Sequence, residues 1–302
     1  MGNTKIIGYT TAIMSVMLTG AIGIFVRNIS LNGCIITFAR LSIGLIFLSC
    51  FLIFKKEIRK IKITKFSYSL LLTGIWLAML TLCYINAINS TSLANAAFLL
   101  YLAPLIAVGI AAVLLKEKFT LLNGGLLCLA FLGFLFFLEF KFSLNIDESK
   151  GFLWGIGSAV SYALYIVFNR KIPEEIPAVT RSFYQLSFGA ITMLPFLDAS
   201  ILSVTLKDIN WLVAIGFFQG FLAISLFTVA VKYLKTVEYS TVSYIEPLIA
   251  SLIGVIIYSE SLTLLQFVGC AIVFSGGMLQ IIATKINPGE IKGAIADWSE
   301  IK

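Results

Sequence analysis

The sequence predicts an all-α polytopic membrane protein, with ten transmembrane helices arranged as two inverted five-helix repeats. Three observations predict it. Of the 302 residues, 59% are hydrophobic and only 12% charged, whereas a soluble domain carries about 25% charged residues; too little polar side chain is present to cover a water-facing surface. Apolar runs of about 20 residues, the length that crosses a bilayer, recur ten times along the chain. The second half of the chain also repeats the first, in opposite orientation.

The repeat is clearest in two stretches. Residues 92–122 read SLANAAFLLYLAPLIAVGIAAVLLKEKFTLL, and residues 237–265 read VEYSTVSYIEPLIASLIGVIIYSESLTLL. An offset of 143 residues superposes Tyr101 on Tyr244, Pro104 on Pro247, Ala107 on Ala250, Glu117 on Glu260 and Thr120 on Thr263. The same offset pairs Gly8 with Gly151, Ser15 with Ser158, Arg27 with Arg170, Trp76 with Gln219 and Gly133 with Gly276. Around the second span the register slips by two, pairing Arg40 with Gln185 and Gly44 with Gly189. Five spans per copy is an odd number, so the two copies cross the membrane in opposite senses.

Taken in order, the first span lies near residues 6–26 and follows a single Lys5. It is longer than the apolar core of a signal peptide and lacks a small-residue cleavage site, so it is read as a retained helix. The second, 34–54, carries Arg40 inside an apolar run, and the third, 67–86, carries Trp76 and Tyr84. The fourth, 92–115, holds Tyr101 three residues before Pro104, and the fifth covers 121–140. In the sixth, 151–168, Ser158, Ser161, Tyr162 and Tyr165 share one helical face. Thr19 stands at the position of the first copy that corresponds to Tyr162. The seventh and eighth lie near 178–197 and 211–231, the eighth with Gln219. The ninth, 237–258, is interrupted by Glu246 and Pro247, and the tenth covers 263–283. Connectors are short, and the only appendage is an amphipathic tail. The expected units are a first repeat at 1–143, a second at 144–284 and a cytoplasmic tail at 285–302.

Lysine and arginine in short loops stay on the cytoplasmic side. Seventeen of them, from Lys5 through Lys116, Arg170, Arg181, Lys232 and Lys235 to Lys302, fall on one side, against Arg27, Lys141, Lys150 and Lys207 on the other. Both termini are therefore expected in the cytoplasm. The net charge of +7 is topological, with no nucleic-acid partner implied; the expected partners are a small-molecule substrate and the lipid bilayer.

The chain contains no histidine, which excludes His-based zinc motifs and Ser-His-Asp triads. Neither a G-x-S-x-G elbow nor a phosphate-binding G-x-x-x-x-G-K-[ST] loop occurs. Its five cysteines all lie in apolar runs without C-x-x-C spacing and read as small buried hydrophobes. No enzyme activity and no cofactor or metal is expected. Inverted repeats are the usual architecture of alternating-access carriers, whose substrate sits near the midplane between the copies. Without an ATP site, transport would run on a gradient or on exchange.

Several polar or aromatic side chains fall at depths where they need a reason. Glu246 is the chief one, because an intramembrane carboxylate requires a partner, a cavity or a function. It is the candidate for proton coupling and for substrate contact; the alternative is a bond that fixes helix register. Tyr101 and Tyr244 either line a central cavity, facing one another across the repeat axis, or pack. Gln219 must avoid lipid, as interhelical glue or as substrate contact, with its repeat partner Trp76 and with Tyr84 on the same helix as Trp76. Tyr162 lies on a face that either packs closely or touches substrate. Arg40 either snorkels to the outer headgroups or turns inward to serve a carboxylate.

The pattern of small residues, then Y-x-x-P-L-I-A, then a glutamate in K-E-K or S-E-S, then T-L-L and a glycine-containing last helix occurs at 92–133 and again at 235–276. It resembles the EamA domain of the drug/metabolite transporter superfamily, and the resemblance spans residues 8–283. It implies a ten-helix carrier of the plasma membrane with both termini inside, moving small metabolites, amino acids or related compounds first, and in the direction of efflux. One departure separates the halves: Ala103 stands where the second copy has Glu246. A membrane-embedded enzyme or a structural membrane subunit is the alternative class, distinguished by whether the solute crosses chemically unchanged.

Overall fold

A computed structural model describes residues 2–26, 28–61, 67–90, 96, 99–117, 120–137, 139–140, 149–198, 201, 204–246, 248–249, 253 and 263–285. Arg27, Asp147, Pro247, Glu260 and the tail beyond Lys285 lie outside the described residues.

Every regular element among the described residues is helical. The first span is α1 (Gly2–Gly20) continued by α2 (Ile22–Val26); the second is α3 (Gly33–Phe54), and the third α4 (Tyr68–Ser90). Next come α5 (Ala103–Leu114), α6 (Leu121–Phe137), α7 (Ser149–Arg170) and α8 (Ala178–Met193). The eighth span is α9 (Leu206–Ile215), a π-helical stretch Gly216–Leu222 and α10 (Ala223–Tyr233). The ninth opens with α11 (Thr236–Ser243), and the tenth is α12 (Leu264–Lys285). Five of the resulting helices are long and apolar enough to cross a membrane, and shorter apolar helices accompany them. An α-helix satisfies its own backbone polar groups, which a lipid-facing segment requires.

The fourth span differs from the single helix its hydropathy predicts. The chain turns at Tyr101 and Leu102, and α5 restarts at Ala103 with Pro104 in its first turn. Proline has no N–H to give and its ring crowds the preceding turn, so a helix tolerates it where it begins. In the second copy α11 likewise ends at Ser243, with Tyr244 as its C-cap. The two breaks meet: the Tyr244 hydroxyl donates to the Tyr101 carbonyl at 2.9 Å, and the rings lie 6.3 Å apart.

The two copies interlock. α1 packs on α10 as α7 packs on α4, and α3 packs on the π-helical stretch as α8 packs on α4; each contact crosses from one copy to the other. At these crossings backbone meets backbone. A Cβ on Gly44 would stand 2.7 Å from the carbonyl carbon of Gly220, and one on Gly74 would stand 3.0 Å from the amide nitrogen of Gly189. Small residues of this kind let membrane helices approach closely where no hydrophobic force drives them together.

The loop contacts sort to two ends of the bundle. At one, Lys5 pairs with Glu238 and Arg170 with Glu117. At the other, Asp208 accepts from the Ser30 amide, Asn32 donates to Asp198, and Thr263 donates to Glu139. The first end carries the lysine- and arginine-rich loops.

Candidate functional site

Glu246 follows the Tyr244 turn by two residues and sits where the copies meet. The close approach of α1 holds it: a Cβ on Gly20 would lie 2.7 Å from the Glu246 carbonyl oxygen. The hydroxyls of Thr19 and Tyr101 stand beside its carboxylate, and Arg40 is within electrostatic reach. Tyr84, Tyr162 and Tyr239 stand near enough to feel its charge. The Tyr162 and Tyr239 hydroxyls are themselves 3.5 Å apart, and Tyr239 meets Phe227 edge to face at 5.1 Å. Glu246 and Tyr84 nevertheless keep accessible surface. Side chains from α1, α3, α4, α7 and α11 surround them.

Arg40 is buried and turned inward, away from the headgroups; its Nε donates to the Gln219 carbonyl at 3.4 Å. Gln219 lies within the π-helical stretch Gly216–Leu222, a geometry that occurs mostly as single-turn bulges, frequently at functional sites. The Gln219 side chain is wholly buried and its Nε2 donates to the Leu18 carbonyl, so α1 and the eighth span are joined there. Among the described residues its Oε1 has no hydrogen-bond partner, and neither do the buried Trp76 Nε1 and Thr37 Oγ1. An orphaned polar atom costs about 1–3 kcal/mol when buried, so each of these is an unmet demand inside the bundle. Beside them runs a satisfied chain: Tyr165 donates to Gln185 Oε1 at 3.0 Å, and Gln185 Nε2 donates to Asn169 Oδ1 at 2.6 Å.

A family model described as "EamA-like transporter family" matches residues 6–138 and again 149–282. The chain belongs to the EamA-like transporter family. An "Uncharacterized transporter" of Archaeoglobus fulgidus is 28% identical over 272 residues, covering 90% of this chain and 95% of that relative. An "Uncharacterized transporter YxxF" of Bacillus subtilis is 21% identical over 275 residues, covering 89% and 88%. A solved structure titled "Crystal structure of protein" superposes with a TM-score of 0.76 at 19% identity, covering 93% of this chain and 98% of that one; at that identity the likeness shows the fold alone. The chain is thus an integral membrane transporter.

In this EamA-like transporter, the structure gathers Glu246, Tyr84, Tyr101, Tyr162 and Arg40 about one point. Tyr244 adjoins that point through Tyr101, but it is fully buried. Its ring packs against Phe134 and Phe131 at 5.9 and 6.2 Å, and its hydroxyl is committed to Tyr101. Trp76 is half-buried against the main core. Thr19 and Tyr239 join the site without having been singled out as site residues from the sequence. Signals for both existed: Thr19 is the repeat mate of Tyr162, and Tyr239 precedes Glu246 by seven residues, two helical turns and so the same face.

Proposed function

We propose that this transporter carries small zwitterionic metabolites, amino acids first, by alternating access about the cavity at Glu246. The single observation that supports this reading is the nearness of Glu246 and Arg40, opposite charges that feel one another's field beside tyrosine rings. A substrate ammonium would meet the Glu246 carboxylate, and a substrate carboxylate the Arg40 guanidinium, whose planar fork suits that partner. Tyr84, Tyr101 and Tyr162 offer ring faces to an apolar side chain and to the ammonium. Trp76 Nε1 and Gln219 Oε1 add a donor and an acceptor that have no partner among the described residues.

The two inverted repeats, residues 1–143 and 144–284, both supply helices to the bundles that rock about the site. The lysine-rich end and both termini face the cytoplasm of a plasma-membrane carrier, and efflux is the direction the family resemblance favours. Purified protein in liposomes, given a labelled amino-acid mixture, tests the reading. Flux with the solute unchanged is expected; chemical turnover of the solute or a lipid, or no flux, would remove it.

A further inference from the structure

At the lysine-rich end of the bundle, side chains of the first copy grip the second. Glu117 lies just after the fourth span, in the first copy, and receives two bonds from the second. Arg170 Nε donates to its Oε1 at 3.1 Å, and the Thr236 amide donates to its Oε2 at 3.0 Å. Arg170, at the end of α7, also donates through Nη1 to the carbonyls of Val231 at 3.1 Å and Lys232 at 3.3 Å. A second pair joins the same place: Lys5, ahead of the first span's apolar run, to Glu238, whose Oε2 also accepts from the Lys235 amide at 2.7 Å. The N-terminal turn of α11 is therefore held by two side chains of the first copy, Lys5 and Glu117.

Thr236 to Glu246 is ten residues, about 15 Å along a helix axis, so α11 and the turn after it link this contact to the Glu246 carboxylate. The chemistry suits release. Lys5 and Arg170 keep contact with solvent, whereas Glu117 is largely covered and Glu238 is buried, so opening returns both carboxylates to water and the regained hydration offsets the lost pairs. Apolar packing at the same seam would be far harder to part. Inverted duplication also carries the residue pair twice, since the 143-residue offset takes Arg170 to Arg27 and Glu117 to Glu260.

We propose that Glu117–Arg170 and Lys5–Glu238 form a two-pair latch that closes the lysine-rich end of the cavity, and that transport requires its release. The proposal rests on alternating access at Glu246 but not on the identity of the substrate. Two experiments on the full chain, cleared of native cysteines, test it. In the first, a Ser240→Cys reporter, buried in α11 between latch and cavity, is exposed to a membrane-impermeant maleimide from the lysine-rich side. Adding Glu117→Gln, which keeps the shape but loses the charge, should speed labelling severalfold while the melting temperature stays within a few degrees; unchanged labelling in a folded variant overturns the latch. In the second, Lys5→Cys with Glu238→Cys is oxidised to a disulfide. Flux should stop and return on reduction, whereas full flux through the cross-linked protein overturns the latch even if Glu117→Gln does not fold. If the amino-acid mixture does not cross even in wild type, the substrate assignment has failed, and the labelling rate still decides the latch.

Discussion

Glu246 is the residue on which the transport reading turns. A carboxylate within the bundle that takes a proton on one side and releases it on the other can couple flux to a gradient. If it also receives a substrate ammonium, proton and substrate compete for it, so wild-type affinity should fall as pH falls and the carboxylate protonates. Glu246→Gln keeps shape and hydrogen bonding but cannot ionise. It should fold, lose most of its affinity and show a flat pH profile in liposome flux; a wild-type profile would leave the carboxylate only a structural role. The two tyrosines of the repeat should part company under the same subtraction. Tyr101→Phe removes a hydroxyl that faces Glu246 and should weaken transport more than stability. Tyr244→Phe removes the bond to the Tyr101 carbonyl and should cost about 1 kcal/mol of stability, read as a lower melting temperature, with affinity little changed.

At the scale of elements, the crossing of α3 with the π-helical stretch is the tightest part of the frame around the site. A Cβ on Gly220 would strike the Arg40 carbonyl, which is backbone and cannot swing aside as a flexible side chain could. Gly220→Leu should therefore force the two helices apart and destabilise the protein by about 1–3 kcal/mol, the usual cost of overpacking, measured as a fall in melting temperature in detergent. Because Arg40 is anchored at that crossing, the same variant should lose affinity beyond what its stability predicts. Gly109, which has nothing within 4 Å of a Cβ built on it, is the control: Gly109→Ala should leave both unchanged.

For the whole molecule, the prediction is topological. Loop contacts place Lys5, Glu117, Arg170 and Glu238 at one end and Asn32, Asp198 and Asp208 at the other. With the basic loops cytoplasmic, Lys171→Cys should react with an impermeant thiol reagent only from the inside, and Lys207→Cys, exposed beside Asp208, only from the outside. Reaction of both from the same side would break the odd count of spans per copy and with it the inversion.

Composition, hydropathy and the 143-residue offset determined the membrane class and the duplication and singled out Glu246 as a candidate, because length, charge and repetition are properties of the linear chain. Which face of each helix looks inward was a different matter. A membrane helix is apolar all round, so hydropathy carries little information about its buried stripe. Only the packed structure turned Arg40 inward onto Gln219, committed the Tyr244 hydroxyl to the opposite copy and brought Thr19 and Tyr239 to Glu246. The break at Tyr101 was foreshadowed by Pro104, but the π-helical stretch at Gln219 had no comparable mark in the sequence. It arises where Gly216 and Gly220 let α3 press against the backbone, and that contact exists only once both helices are in place.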